Sequence, residues 1–327
     1  MTLGSRPKLL LINQAALQDA ITLAETIEVV DRAMRELSAG LVVAPQRTVM
    51  AVNAATRLGL MPGAMPSLAR FGVKVVSLSQ DAESFGLPSH QGVMLLFDSG
   101  TGQPLAALDC HGLTRLRTAA ASAVATRALA RVDAKVLAII GPGDLAGPHL
   151  EAISAIRPIE QVRVWGRSRA KAEAFAAGRR NVSVADSVEQ AIHGADIICT
   201  LTASSEPLLE GKWLERGQHL NLVGSSLRSS READDEAVRR GYFIADSREH
   251  ALSQAGELLH AIEQHVVGQS HVKGEIGEVL SGKVPGRTSD DQITIYKSLG
   301  HAAQDLALAH AVLLRAGKSD KVAAVDW

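Results

Sequence analysis

Aromatic side chains are scarce in this chain: 3 Trp, 2 Tyr and 5 Phe make up 3 % of 327 residues. Its core is therefore aliphatic and alanine-rich, which suits helices lying close on a sheet. Only two cysteines are present, Cys110 and Cys199, far apart and each in an apolar run. That excludes a disulfide scaffold and fits buried thiols in a reducing compartment. Neither sign of charge is in excess, with 34 Lys+Arg against 35 Asp+Glu and a net charge of -1. No electrostatic pull toward nucleic acid or an anionic membrane is expected. The 11 histidines show no metal-ligand spacing, so no metal is expected. No apolar run approaches the roughly 18 residues needed to span a bilayer, and no secretory leader is recognisable. A cytoplasmic protein is expected.

What is present is a globular composition, 46 % hydrophobic and 21 % charged, in a chain longer than the roughly 250–300 residues at which single cores stop growing. Two domains follow. Residues 13–40 carry apolar side chains at helical spacing and predict one helix ending at Gly40. Short β-like runs follow at 47–52, 72–78, 92–97 and 104–109, with a turn at 98–102. The Ala-rich stretch 118–131 predicts a helix. From Lys135 the pattern changes to strand–helix alternation, with strands at 136–140, 162–165, 182–184, 196–201, 219–223 and 243–245. Helices are expected at 170–178 and 188–193. This predicts a doubly wound parallel sheet beside a smaller mixed α+β domain. A long helix over 300–316 closes the chain.

The segment 135–150 reads K-V-L-A-I-I-G-P-G-D-L-A-G-P-H-L. A strand runs into Gly141, whose missing side chain permits the tight turn. Gly143 lets backbone approach a pyrophosphate, and Ala146 allows close helix packing. Asp144 and Leu145 complete the turn, and the helix start offers free N–H groups to phosphate. An acid at the end of the second strand binds the ribose of NAD. Trp165, Gly166, Arg167, Ser168 and Arg169 stand there instead. Two arginines and a hydroxyl suit a 2′-phosphate, so NADP(H) is favoured and NAD(H) is the alternative.

Isolated cations in the first third, Arg47, Lys74 and Arg117, are costly to bury alone and suit a substrate carboxylate. Several segments then carry a resemblance: F-G-V-K-V-V (71–76), L-L-F-D-S-G-T-G-Q-P-L-A (95–106), L-T-R-L-R-T-A-A-A-S-A (113–123), V-G-S-S (223–226) and Y-K-S-L-G-H-A-A-Q-D (296–305). Over nearly its whole length the chain resembles the ornithine cyclodeaminase/mu-crystallin family. The resemblance implies a substrate and dimerisation domain from 1–120 with 303–327 and a Rossmann domain over 121–302. It places Arg47, Lys74 and Arg117 at the substrate carboxylate. Thr118, Thr200, Thr202, Ser204, Val223, Gly224, Ser225, Lys297 and Gly300 fall around the cofactor.

One departure bears on the reaction. Cyclodeaminases of this family carry an aspartate in a G-G-D segment, where this chain has Gly224, Ser225 and Ser226. A neutral hydroxyl is a poor base near pH 7, so cyclodeamination is disfavoured. Reduction of a small α-imino acid is expected, a cyclic one such as 1-pyrroline-2-carboxylate or 1-piperideine-2-carboxylate or else an acyclic one, with Lys74, Ser226 and His90 as catalytic candidates. His90 is the candidate proton donor, because its pKa can lie near neutrality. His90 and Arg115 also offer cationic capacity for a second carboxylate, as in an iminosuccinate-like substrate. Amino-acid dehydrogenation and a ligand-binding, mu-crystallin-like role are the alternatives. A homodimer is implied.

Overall fold

The computed structural model describes residues 8–79, 81–88, 90–316 and 320–327. Among them, the chain opens with β1 (Lys8–Ile12), α1 (Gln14–Ala20), α2 (Leu23–Ser38), β2 (Thr48–Ala51), β3 (Thr56–Met65), β4 (Arg70–Ser79), β5 (His90–Asp98), β6 (Pro104–Asp109) and α3 (Cys110–Leu129). Alternating elements follow: β7 (Val136–Ile140), α4 (Ala146–Ile156), β8 (Gln161–Trp165), α5 (Arg169–Ala176), β9 (Val182–Val184), α6 (Val188–Ile192), β10 (Ile197–Thr200) and β11 (His219–Leu222). Then come α7 (Asp235–Arg240), β12 (Tyr242–Ala245), α8 (Arg248–Gln254), α9 (Gly256–Glu263), β13 (Val272–Glu275), α10 (Ile276–Leu280), β14 (Thr294–Lys297), α11 (Ala302–Ala316) and β15 (Val322–Asp326). The chain divides into two compact units, 1–117 with 301–327, and 118–300.

The first unit is a seven-stranded sheet in the order β15-β1-β6-β5-β4-β3-β2. All its pairs are antiparallel except β1 with β6. One face buries Met65, Met94, Leu96 and Leu108 against α1, α2 and α11. The single helix expected over 13–40 is two. Asn13 caps α1, and Thr22 caps α2 in a reciprocal box with Glu25, which breaks the helix at Ile21. Strand β3 was not expected, because T-R-L-G-L-M-P-G-A-M carries two glycines and a proline, all poor strand formers. Pro62 is tolerated because β2 pairs only as far as Leu60, leaving no partner for the N–H that Pro lacks. A one-turn helical corner at Pro66–Leu68, with Ala69 at φ 52°, joins β3 to β4 and pairs Met65 with Arg70.

The second unit is an eight-stranded parallel sheet, β13-β12-β14-β11-β10-β7-β8-β9. Its stretch β9-β8-β7-β10-β11 reproduces the Rossmann order 3-2-1-4-5, with the strand order reversing between β7 and β10. Strands β7, β10 and β11 are buried over nearly their whole length, as a sheet covered on both faces requires. Helix α3 begins at Cys110, eight residues before the expected start. At its far end the carbonyls that a helix leaves unpaired are taken by guanidiniums. Arg157 donates to Thr126, Arg127, Ala130 and Arg131, and Arg287 donates to Leu129. Among the described residues, no helix is long and apolar enough to cross a membrane.

Candidate functional site

In the second unit, Gly141 leaves β7 at the point where the strand order reverses, the usual ligand crevice of such sheets. Its φ is +109°, and a Cβ there would lie 2.9 Å from both the Leu201 carbonyl oxygen and Thr202 Cγ2. Only glycine fits. A Cβ at Gly143 would instead meet nothing within 4 Å, so this side of the turn is open to an approaching ligand. Asp144 is exposed, and Leu145 is the N-cap of α4 without a side-chain cap, which leaves the helix start to an external acceptor. Ala146 is fully buried.

His149 fixes the turn from beneath. Its ring accepts no solvent (0 % exposed), with Nδ1 2.7 Å from the Leu145 carbonyl and Nε2 3.0 Å from Ser122 Oγ. A carbonyl only accepts, so Nδ1 donates, and the Ser122 hydroxyl donates to Nε2. Burial lowers its pKa to about 4, so it is neutral near pH 7.

The loops after β10 and β11 meet on one buried carboxylate. Glu232 Oε2 accepts from Thr200 Oγ1 at 2.7 Å and from the Gly224 N–H at 2.8 Å. Oε1 accepts from the Thr202 N–H at 2.7 Å and Thr202 Oγ1 at 2.8 Å. Val223 is buried, and Ser204 donates to the Glu206 carbonyl at 2.7 Å. Lys297 is fully buried and donates to the Ser225 carbonyl at 2.6 Å while lying 3.0 Å from Glu257. Its ammonium is therefore shared between the loop after β11 and Glu257 of α9. Gly300, at φ +78°, and Leu299 both donate to Asp246 Oδ2 at 2.7 Å. Ser226 is half-buried in the same loop as Ser225, and Thr118 is buried on α3.

Beyond β8, Trp165 is half-buried and Arg167, Ser168 and Arg169 are exposed. Ser168 caps α5 by accepting from Lys171 N, which leaves its hydroxyl proton to donate. Arg169 pairs with Glu173 at 2.9 Å and Asp186 at 2.5 Å. Arg167 has neither of these partners.

In the first unit, Lys74 and Arg117 converge on Asp305 of α11. Lys74 Nζ lies 2.8 Å from Oδ2 and Arg117 Nε 3.2 Å from Oδ1, while Arg117 also donates to Gln304 Oε1 at 3.2 Å. Lys74 is 3 % exposed, Arg117 7 % and Asp305 0 %. Burial pulls the Lys74 ammonium below its ordinary range, with Asp305 opposing. The register sets Ile12, Leu108, Met94, Lys74 and Met61 in one row across the sheet. Thr48 pairs with Leu60, so Arg47, one residue earlier, extends that row beyond Met61. Two strand spacings, about 10 Å, then separate its backbone from that of Lys74. His90 is exposed at the head of β5 opposite Leu78. It shares the face of Lys74 but lies four residues, about 13 Å, along the strand.

Four of these groups were not anticipated as functional: Asp305, Glu232, Asp246 and His149. A signal existed for Asp305, a lone acid in an Ala- and Leu-rich helix in a chain already holding two unexplained cations. Glu232, in R-E-A-D-D-E, is indistinguishable from a solvated helix start. Among the described residues, no group of three or more His, Cys, Asp or Glu is placed to hold a metal.

Comparison with known proteins agrees with this arrangement. The ornithine cyclodeaminase/mu-crystallin family model matches residues 8–320. Ketimine reductase mu-crystallin of Mus musculus is 39 % identical over 275 residues, 84 % of this chain and 85 % of that one. The structure of Thermococcus litoralis Delta(1)-pyrroline-2-carboxylate reductase in complex with NADH and L-proline superposes with a TM-score of 0.92 at 34 % identity, covering 94 % of this chain and 97 % of the other. An archaeal alanine dehydrogenase dimer with bound NAD also gives 0.92, at 30 % identity, covering 98 % and 99 %. The glycine turn on a parallel sheet, the paired cations and these likenesses lead to one conclusion: the chain belongs to the ornithine cyclodeaminase/mu-crystallin family.

Proposed function

We propose that the protein reduces a small α-imino acid to the amino acid with a nicotinamide dinucleotide, in the manner of pyrroline-2-carboxylate and ketimine reductases. The observation that carries this reading is the Lys74–Asp305–Arg117 cluster. Two buried cations share one buried carboxylate, leaving one positive charge in excess. A substrate carboxylate supplies the missing negative charge. Arg117 is suited to hold it through its guanidinium fork, and Arg47 lies in the same sheet row.

The dinucleotide supplies the hydride that the imine carbon receives. The chain supplies the rest. Gly141, Gly143, Asp144, Leu145 and Ala146 form the turn that would take the pyrophosphate, and Arg167 and Ser168 would hold the adenosine ribose side. No acid stands there, which supports NADP(H) over NAD(H). The imine nitrogen must carry a proton as its carbon accepts hydride. Lys74 Nζ is suited to hold that proton, because burial makes the ammonium a stronger acid than usual while Asp305 keeps it charged. His90, about 13 Å along the strand, suits a more distant substituent of the substrate.

Ser226 in place of a carboxylate weighs against ornithine cyclodeamination. We further propose a cytoplasmic homodimer joined through the first unit, where edge strand β2 exposes Val49 and Met50. Sedimentation at monomer mass would contradict the dimer. The deciding experiment follows oxidation of NADPH and NADH with pyrroline-2-carboxylate, piperideine-2-carboxylate and iminosuccinate. Turnover of one of these is expected. Ammonia release from ornithine with NAD, and no imine turnover, would overturn the reading.

A further inference from the structure

We infer that Glu232 is a positioning residue for dinucleotide binding: its carboxylate holds the loops after β10 and β11 in the shape on which the Gly141 turn rests. The inference depends on the dinucleotide reading above, but not on the identity of the imine.

Glu232 is fully buried, and each group hydrogen-bonded to its carboxylate donates to it, while Glu257 acts on it as a neighbouring like charge. With Ser225 N–H at 3.3 Å it accepts from three backbone amides and two hydroxyls. Only an acceptor-only group satisfies such a set; a carboxamide would turn an N–H₂ against donors. Burial pushes the carboxyl upward, and Lys297 opposes this. Its own backbone is fixed too. The Glu232 N–H donates to Glu257 Oε1 at 3.0 Å, and its carbonyl accepts from Leu208 and Leu209, both at 2.9 Å.

The loops it joins touch the glycine turn. A Cβ on Gly224 would lie 2.0 Å from the Thr202 carbonyl oxygen and 2.6 Å from Glu232 Oε1, so the two loops are in backbone contact. A Cβ on Gly141 would strike Leu201 and Thr202. Irregular backbone at a strand end has little ladder to satisfy its N–H groups, although the Gly224 N–H also reaches the Thr200 carbonyl at 3.1 Å. One carboxylate does this for both loops, at the carboxyl end of the sheet where the dinucleotide is read. Thr200 fits the same picture. It is fully buried with its hydroxyl on Glu232, so it acts on the loop rather than on a ligand.

A matched control exists at the opposite end of β10. Asp196 likewise accepts from two backbone amides, the Lys135 and Val136 N–H groups at 2.8 and 2.9 Å, and also pairs with Arg131, away from the glycine turn. The test measures NADPH and NADH affinity by fluorescence titration, together with thermal midpoints, for Glu232→Gln, Glu232→Asp and Asp196→Asn. Glu232→Gln is expected to weaken dinucleotide affinity at least about tenfold at temperatures where it remains folded. Glu232→Asp should recover part of the loss, and Asp196→Asn should lower only the midpoint. Equal affinities for Glu232→Gln and the parent, or equal losses in Glu232→Gln and Asp196→Asn, would overturn the inference. Where Glu232→Gln does not fold, Thr200→Val removes one donor and leaves the charge in place. A roughly threefold loss of affinity is then expected, and no loss would overturn the inference. A parent that binds neither dinucleotide overturns the functional reading and this inference with it. A parent that binds one but reduces no imine leaves Glu232 standing.

Discussion

Asp305 Oδ2 sits 2.8 Å from Lys74 Nζ, and neither side chain is more than 3 % exposed. Replacing Asp305 with Asn leaves two buried cations short of a partner, a loss on the order of 3 kcal/mol in unfolding free energy. It also removes the influence that opposes burial at Lys74, so the ammonium deprotonates at lower pH. Turnover that needs the protonated amine falls as pH rises through that pKa. The alkaline limb of kcat against pH should therefore move to lower pH in Asp305→Asn. An unmoved limb would remove Lys74 from the proton step.

His149 makes stability acid-sensitive in a defined window. Its folded pKa is about 4 against an ordinary 6.5. Above pH 6.5 both folded and unfolded states hold it neutral. Between pH 6.5 and about 4 only the unfolded state takes up the proton, so stability drains away as pH falls. Over the full window this amounts to roughly 3 kcal/mol. His149→Asn should show a smaller drop in thermal midpoint between pH 7.5 and 5 than the parent. Some drop should remain, because His219 is held neutral in the same way, with a pKa of about 3.

Gly224→Ala places a methyl group 2.0 Å from the Thr202 carbonyl oxygen, closer than any tolerated contact. The loops after β10 and β11 must separate. A loss of dinucleotide affinity of at least about tenfold is expected, alongside about 1–3 kcal/mol of stability. Titration with NADPH would show it, and an affinity equal to the parent's would mean that these loops do not bear on the cofactor.

Arg167 and Arg169 should differ in cofactor choice. Arg169 is held by Glu173 and Asp186, whereas Arg167 is exposed without those pairs. Arg167→Ala should raise the KM for NADPH roughly tenfold and leave that for NADH nearly unchanged. Arg169→Ala should do less. Equal KM changes for both dinucleotides in Arg167→Ala would argue that no 2′-phosphate is read there.

The second unit was largely legible in the sequence because each βαβ step is local: an apolar run, a turn and an amphipathic stretch. The G-P-G turn at 141–143 could be read for the same reason. The first unit was harder. β1 and β15 pair with each other from opposite ends of the chain, and β3 hides under Pro62 and its glycines. The site shows the same divide. Lys74 and Arg117 stood out as cations among apolar neighbours. Asp305, 188 residues beyond Arg117, could be joined to them only by the fold. Glu232 has no sequence signature because its partners are backbone amides, which every residue type carries.

The four-residue corner 66–69 between β3 and β4 governs more than a turn. That corner sets the register in which Met65 meets Arg70, and because side chains alternate along a strand, a slip of one residue in that register would reverse the face of every β3 side chain. β2 rides on β3, and Arg47 stands at the head of β2. A one-residue slip would turn Arg47 away from Lys74 while both residues stayed in the gene. A slip of two would slide Arg47 along the sheet but keep it on the same face. The makeup of this sheet row is thus set partly by the register that a short corner imposes.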